Sequence, residues 1–482
     1  MEDKLKQNRV IGIRRENKNK WERRVAIIPQ DCKKLLEKGI RIIIQPSKLR
    51  CFTDKQYEDV GCEIHEDITG ASLIIGVKEV PLDYLYPEKT YMYFSHTIKG
   101  QPANMPALKD ILEKNIRLID YECIKESTGS NPQRLVAFGR FAGLAGAIDF
   151  LQGIGEFLMY RKFFTPFIYT GYSYMYATLE DAKKSISNVG KLITQKHLPK
   201  EICPFVIGFT SNGRVSKGAQ EIIKLLPHEF VDPDDLEDLV KNKKNARRDI
   251  VYLTIIESKH MYKKKNNLEF DKDDFYKNPD NYYSIFAEKF VPYLSILYHC
   301  MFWDIQYPRI LTLDESYELS TQKRFRLLGV CDITCDLKGS IELLQKFTTI
   351  ENPFYTIDPI TNIIEEDFNK MSESSILYHA VDHLPAEMPI DASKHFSDKL
   401  TPFIDKIFEI EYPSNYLEKA VEINKHLPAE ILNACETWNG NLMPKYVYLY
   451  EELGKYFPKY NQFVCDDKLR KRSLSKNIAP IN

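Results

Sequence analysis

Two short apolar runs each end in a residue that can move protons. Leu73-Ile-Ile-Gly-Val is closed by Lys78 and Glu79, and Tyr91-Met-Tyr-Phe-Ser by His96. Runs of this length read as buried strands. In parallel α/β sheets, ligands bind outside the carboxyl ends of the strands. A lysine and a histidine at two such ends could face one crevice as an acid/base pair. Burial and a neighbouring cation lower a lysine's pKa, and histidine titrates near neutrality. The same spacing fits a plainer reading: Lys78 solvated and paired with Glu79, and His96 an ordinary loop histidine.

The flanking sequence supplies elements to position them. Val10 to Arg14 reads as a first strand, followed by Arg15-Glu16 and a polar loop. Trp21-Glu-Arg-Arg24-Val-Ala then leads into a helix over residues 30–37, which Gly39 closes as a left-handed cap. Ile40 to Gln45 is a strand of the alternating βαβ type, and residues 53–60 form a helix. A helix over 105–115 precedes a strand from Ile116 to Tyr121 that ends in Glu122. Arg24 could hold a carboxylate through its planar fork or sit as a surface arginine among other charges. Phe141 to Arg161, rich in small residues, reads as a long helix leaving the first domain. The aromatic stretch 163–176 is a loop over a crevice or an interdomain contact, and another helix spans 179–195.

The second half carries a phosphate-turn pattern. Phe205-Val-Ile-Gly208-Phe-Thr-Ser211-Asn212-Gly213-Arg214-Val215 reads as strand, tight turn and helix start, the arrangement that cradles a pyrophosphate. Its spelling is imperfect. Ser211 stands where a GxG turn has its first glycine, and Arg214-Val215 rules out a P-loop. The next strand, His228 to Val231, ends at Asp232. An acid there takes a ribose 2′-hydroxyl and favours NAD over NADP, or else it caps a helix. Residues 237–248 and 258–284 are highly charged and read as surface helices and loops. Phe290 to Tyr293 and His299 to Trp303 suggest a helix beside a site. Leu327 to Ser340 is a strand-to-loop passage in which Asp332 and Asp336 lie either at a ligand-facing strand end or in a turn. Helices are expected at 394–410 and 414–425, helical or irregular structure at 428–462, and a disordered basic tail.

Composition narrows the function classes. The chain has 482 residues, enough for two or three domains. Its 67 basic and 68 acidic residues give a net charge of −1, so nothing argues for nucleic acid or a membrane surface. Ten cysteines without a CxxC pair argue against a disulfide framework or a zinc site, and no metal site is expected. The N-terminus has no apolar core for a leader, and no apolar run is long enough to span a bilayer, which gives a cytoplasmic expectation. There is no internal repeat and no low-complexity tract.

Taken in order, these passages resemble the lysine–ketoglutarate reductase (lysine-forming saccharopine dehydrogenase) half of α-aminoadipic semialdehyde synthase. The wider family includes alanine dehydrogenase and the nucleotide-binding subunit of transhydrogenase. The likeness covers about residues 9–410. Its markers include Arg15-Glu16 with Trp21-Glu-Arg-Arg24-Val-Ala, Ile75-Gly-Val-Lys78, Phe94-Ser-His96-Thr-Ile-Lys99, Val136-Ala-Phe-Gly139, Val215-Ser-Lys-Gly-Ala-Gln220 and Asp382-His-Leu-Pro385. The resemblance implies an α/β chain of two Rossmann-like, doubly wound domains around an interdomain cleft. Residues 1–150 would begin the substrate domain and 151–365 would bind the nucleotide. Residues 366–412 would return to the substrate domain, and 413–482 would form a helical extension with the basic tail.

The implied reaction joins L-lysine to 2-oxoglutarate and reduces the imine with NADPH, NADH being the other candidate, to give saccharopine. Lys78 and His96 would be the acid/base residues, tuned by Glu79 and Glu122. Arg24, Arg134, Lys99 and Asp336 would meet substrate. Gly208, Ser211, Asn212, Gly213, Arg214, Val215, Asp232 and Asp332 would meet the cofactor. The companion glutamate-forming domain is not in this sequence, so a stand-alone reductase is expected, with a homo-oligomer allowed. Two other readings stay open: an amino-acid dehydrogenase of the alanine dehydrogenase type, and a non-catalytic paralogue that binds lysine or a nucleotide.

Overall fold

The computed structural model describes residues 9–128, 132–242, 246–266, 268–408 and 427–464. The chain divides into two compact units, one formed by Met1–Ala137 with Pro389–Asn482 and the other by Phe138–Met388. The first boundary precedes the expected residue 150 because the long helix belongs wholly to the second unit. The second falls at Pro389, beyond the expected 365, because the strand Ile376–His379 completes the second unit's sheet.

The first unit is built on β1 (Val10–Ile13), β2 (Arg41–Ile44), β3 (Glu63–Ile64), β4 (Leu73–Ile75), β5 (Thr90–Tyr93) and β6 (Arg117–Asp120). They form one sheet in the order β3-β2-β1-β4-β5-β6, and every pairing is parallel. Their apolar runs are buried because helices must return the chain to the start of each strand and so cover the faces. α1 (Pro29–Glu37) opens on proline, whose missing N–H costs nothing there, and Gly39 follows its end at φ 76°. α2 (Asp54–Glu58) carries a Thr53/Gln56 capping box, and α3 (Met105–Glu113) again has proline in its first turn.

Residues from the far end of the chain finish this unit. Ser397 Oγ accepts the Ile28 N–H at 3.1 Å and donates to Asp31 at 2.6 Å, and Ser393 Oγ accepts the Val25 N–H at 2.9 Å. These serines lie on the helix Pro389–Phe408, which belongs to the first unit. Further on, Cys435 bridges Ile119 antiparallel, Glu436 N–H donates to Leu118 O at 2.8 Å, and Thr437 Oγ1 donates to Ile116 O at 2.8 Å. The open edge of β6 is thereby covered, which removes an unpaired row of backbone groups. The expected helix at 414–425 and the basic tail lie outside the described residues.

The second unit carries α4 (Gly139–Tyr160) and α5 (Leu179–Lys196), then β7 (Val206–Thr210), α6 (Arg214–Ile223), β8 (His228–Phe230) and β9 (Val251–Ile256). After the hairpin β10 (Tyr262–Lys264) and β11 (Tyr282–Ser284) come β12 (Ile296–His299), β13 (Gly329–Asp332), β14 (Phe354–Ile357), β15 (Ile364–Glu365) and β16 (Ile376–His379). The main sheet runs β15-β14-β16-β13-β12-β7-β9-β8, parallel except where β14 pairs antiparallel with both its neighbours.

Two readings are corrected here. His299 closes a central strand rather than a helix, because a short, fully buried apolar run has no periodicity to tell the two apart. The charged stretch 258–284 contains a hairpin held by buried Tyr262, Phe275 and Tyr282, whose rings pack together. By length and hydropathy α4 could cross a membrane, against the expectation of no such run, but 83% of its most apolar window is buried inside the protein.

α4 lies so close to α6 that two glycines are required. A Cβ on Gly218 would stand 2.1 Å from Arg140 O, and one on Gly143 would stand 2.0 Å from Val215 O. Backbone cannot give way as a flexible side chain can. Gly218→Ala should lower unfolding stability by about 1–3 kcal/mol or more in chemical denaturation. Gly70→Ala, where a Cβ meets nothing within 4 Å, should change it by less than about 0.5 kcal/mol.

Candidate active site

In the first unit the chain lays β2 and β3 on one side of β1, then crosses to lay β4, β5 and β6 on the other. The carboxyl ends of β1 and β4 therefore flank a topological switch point, the place where open α/β sheets take ligands. Arg14 to Glu16 follow β1, Lys78 and Glu79 follow β4, His96 follows β5 and Glu122 follows β6. The structure brings both halves of the expected acid/base pair to one rim.

A buried carboxylate ties the first two strand ends together. Glu16 accepts the N–H of Val77 at 2.6 Å and of Lys78 at 3.1 Å. Its burial raises its pKa, although Arg14 and these N–H groups oppose the rise. Arg24 is buried against Glu22, with Nε to Oε1 at 2.8 Å and Nη2 to Oε2 at 2.5 Å, so it is not the surface arginine that composition allows. Lys78 is lowered from its ordinary pKa first by burial and then by the charge of Arg24, with Glu22 and Glu79 opposing.

His96 sits in an alternating line of charge. Its Nδ1 lies 3.2 Å from Glu122 Oε2, its Nε2 lies 3.8 Å from Glu79 Oε1, and its ring stacks on Phe94. Lys18 Nζ holds both oxygens of Glu79, at 2.9 and 2.8 Å, and Arg134 Nη2 lies 3.1 Å from Glu122 Oε1. Burial works to raise Glu122, but the His96 hydrogen bond and the charges of Arg134, His96 and Lys99 outweigh it and bring the carboxyl to about 2. Arg134 is thus a partner of the acid beside His96, and exposed Lys99 contributes charge to the same group.

Beneath His96, Asp120 Oδ2 accepts the Ser95 N–H at 3.1 Å and the Ser95 hydroxyl, and Oδ1 accepts the Glu122 N–H at 2.6 Å. Glu436 hydrogen-bonds the Asp120 carboxyl and accepts from Thr97 Oγ1 at 2.5 Å. Burial and the Asp120 charge push Glu436 well above the ordinary carboxylate range, and burial raises Asp120 as well. Sequence reasoning missed Glu16, Lys18, Glu22, Asp120 and Glu436. For Asp120 the available signal was an acid as the last residue of a buried strand.

In the second unit β7 runs into the expected turn. Ser211 takes φ 66°, the left-handed conformation that a glycine adopts without steric cost, so the turn keeps its form despite the serine. Asn212, Gly213 and Arg214 are exposed at the start of α6, and a Cβ on Gly213 would meet only Ser211 Oγ, at 3.8 Å. That open backbone at a helix N-terminus fits a pyrophosphate. Gly208 lies within β7, where a Cβ would come 2.9 Å from Leu294, and Val215 packs against α4; both shape the frame rather than the cradle. Asp332 is buried and takes hydrogen bonds from Thr334 Oγ1, Cys335 N and Tyr378 OH. Asp336 begins a turn closed by Gly339 N–H.

Asp232 is misplaced for a ribose. β8 lies at the sheet edge and β9 intervenes, so Asp232 is two strands, about 10 Å, from β7. It instead caps the turn Pro233–Asp235 through the Asp234 N–H. Among the described residues no group of three His, Cys, Asp or Glu is placed to hold a metal.

A switch-point site in one parallel sheet and a phosphate turn in another define a dehydrogenase-type α/β protein. Residues 12–145 match the family described as alanine dehydrogenase/PNT, N-terminal domain. Along most of its length the chain is a relative of alpha-aminoadipic semialdehyde synthases. It is 42% identical over 463 residues to that of Arabidopsis thaliana and 36% over 453 to the mitochondrial one of Rattus norvegicus. These matches take in 93% and 91% of this chain but only 42% and 47% of those proteins, so the chain spans less than half of their length. A Schizosaccharomyces pombe protein named saccharopine dehydrogenase (NAD(+), L-lysine-forming) is 24% identical, over 83% of this chain and 94% of its own. A solved L-alanine dehydrogenase shares the fold with TM-score 0.56 at 15% identity, covering 92% of this chain and 99% of its own.

Glu122 provides a pH test. Its folded pKa of about 2 lies below the ordinary 4.5, so its ion pairs contribute stability that is complete above pH 4.5 and fades as pH falls towards about 2. The gap in unfolding free energy between the native protein and Glu122→Gln should shrink over that window, measured by denaturation at a series of pH values. A gap constant across it contradicts the assignment.

Proposed function

We propose that the chain catalyses the reductive condensation of L-lysine with 2-oxoglutarate to saccharopine. The observation that carries this reading is Lys78 and His96 at the ends of neighbouring parallel strands beside the switch point, His96 between two carboxylates and Lys78 buried beside Arg24. The relatives' names support the choice of substrates.

In this reading Arg24, oriented by Glu22, anchors a substrate carboxylate. Lys78, made easier to deprotonate by burial and by Arg24, takes the proton from the incoming ε-ammonium group. The amine attacks the keto carbon of 2-oxoglutarate to give a carbinolamine. His96 then donates a proton to the departing hydroxyl, leaving a protonated imine and water, and Glu122 and Glu79 stabilise the imidazolium form that makes the donation. The turn Ser211 to Arg214 would hold the pyrophosphate of a nicotinamide nucleotide, which when bound would supply the hydride for reduction of the protonated imine.

Absorbance at the reduced-nicotinamide band tests the reading. Oxidation should require both lysine and 2-oxoglutarate, and His96→Ala or Lys78→Met should slow it about 10²–10⁴-fold. Ammonia replacing lysine would move the protein to the alanine dehydrogenase type. Ligand binding without any oxidation, in folded protein, would favour the non-catalytic paralogue.

A further inference from the structure

His96 stands in a backbone conformation that its residue type disfavours. It takes φ 57° and ψ 11°, in the left-handed region that a residue with a Cβ enters only at a cost. Such a conformation persists where the surroundings over-determine it, and it gathers at functional sites. Two hydroxyls, one on either side of the histidine, bracket it here. Ser95 Oγ and Thr97 Oγ1 lie 2.6 Å apart, and the Thr97 N–H donates to Ser95 Oγ at 3.2 Å. Both residues are buried, while the imidazole between them reaches Glu122 and Glu79.

On this loop Asp120 binds the residue before His96. The residues after it are held from a different part of the chain. Thr97 Oγ1 donates to Glu436 Oε2 at 2.5 Å, and Tyr448 OH donates to Ile98 O at 2.7 Å. Asn104 Nδ2 adds a hydrogen bond to His96 O at 3.1 Å. The end of the turn has no slack either: a Cβ on Gly100, at φ 62°, would stand 2.7 Å from Glu452 Cγ.

We propose that Thr97 is a positioning residue for His96, its hydroxyl holding the imidazole in the left-handed conformation from which Nδ1 meets Glu122 and Nε2 faces Glu79. Tyr448 secures the same turn one residue further on. Each acts through the backbone of the histidine, so what its loss removes is proton transfer rather than substrate binding. The kinetic consequence rests on the reductase reading; the placement of the imidazole does not.

The test compares three variants of the whole chain by steady-state kinetics and by the His96 Cε1–H resonance, assigned by its absence in His96→Gln. Thr97→Val keeps the shape of the side chain without its hydroxyl, and Thr97→Ser restores the hydroxyl. Thr97→Val should lower kcat about 10–10²-fold, the scale of a misplaced catalytic group, and leave KM for lysine and 2-oxoglutarate within about twofold. Its His96 resonance should shift, and Thr97→Ser should return both readouts to native values. Tyr448→Phe, which removes one hydroxyl from a half-exposed ring, should move both in the same direction by less. A native kcat or a native His96 resonance in folded Thr97→Val overturns the proposal. So does a loss that appears in KM instead, or a Thr97→Ser as impaired as Thr97→Val. If Thr97→Val does not fold, Tyr448→Phe decides on the same two readouts. Absence of turnover by the native chain overturns the reductase reading alone, and the resonance then decides the placement of His96.

Discussion

The Asp120 carboxylate is the point on which the site's geometry hangs. A buried anion is costly unless its oxygens are filled. Asp120 fills them with donors from both sides of the rim: the amide and hydroxyl of Ser95, one residue before His96, and the amide of Glu122. The imidazole and its carboxylate partner are thereby held from a single group below them. Glu436 lies beside it, and burial with the Asp120 charge raises its carboxyl well above the ordinary range, since two neighbouring carboxylates cannot both ionise cheaply in so buried a place. Glu436 comes from a segment more than three hundred residues along the chain, which also closes the edge of β6. Edge protection and site construction are one set of contacts.

Above this frame the charges alternate as Lys18, Glu79, His96, Glu122 and Arg134. Each carboxylate in the line has basic neighbours, and a proton arriving on His96 meets carboxylates at both ring nitrogens. Lys78 lies outside this line. Burial and Arg24 make it easier to deprotonate, which is the property a base for an ammonium substrate requires.

Much of this was legible in the sequence because parallel strands announce themselves as short apolar runs ending in ionisable residues. That rule put Lys78, His96 and Glu122 at strand ends, and their roles in a site came from the family resemblance. What stayed hidden depends on partners far away in the chain: Asp120 reads as an ordinary strand terminus until Glu436 is brought under it. Strand order is equally silent. Nothing local in His228 to Asp232 says that β9 will displace β8 from β7, so a motif that counts strands along the chain chose Asp232. Ser211 shows the opposite case, where the residue departs from the pattern but the backbone keeps the conformation the pattern encodes.

The chemistry proposed for this site is the joining and reduction of an amine and a 2-oxo acid. The most direct measurement is the mass of the product formed from lysine, 2-oxoglutarate and a nicotinamide nucleotide deuterated at C4 on the transferred face. The account predicts a single adduct of the two substrates, less one water and plus two hydrogens, one of them the transferred deuterium on the former keto carbon bonded to the lysine Nε. Deuterated glutamate or 2-hydroxyglutarate, with lysine recovered unchanged, would contradict it.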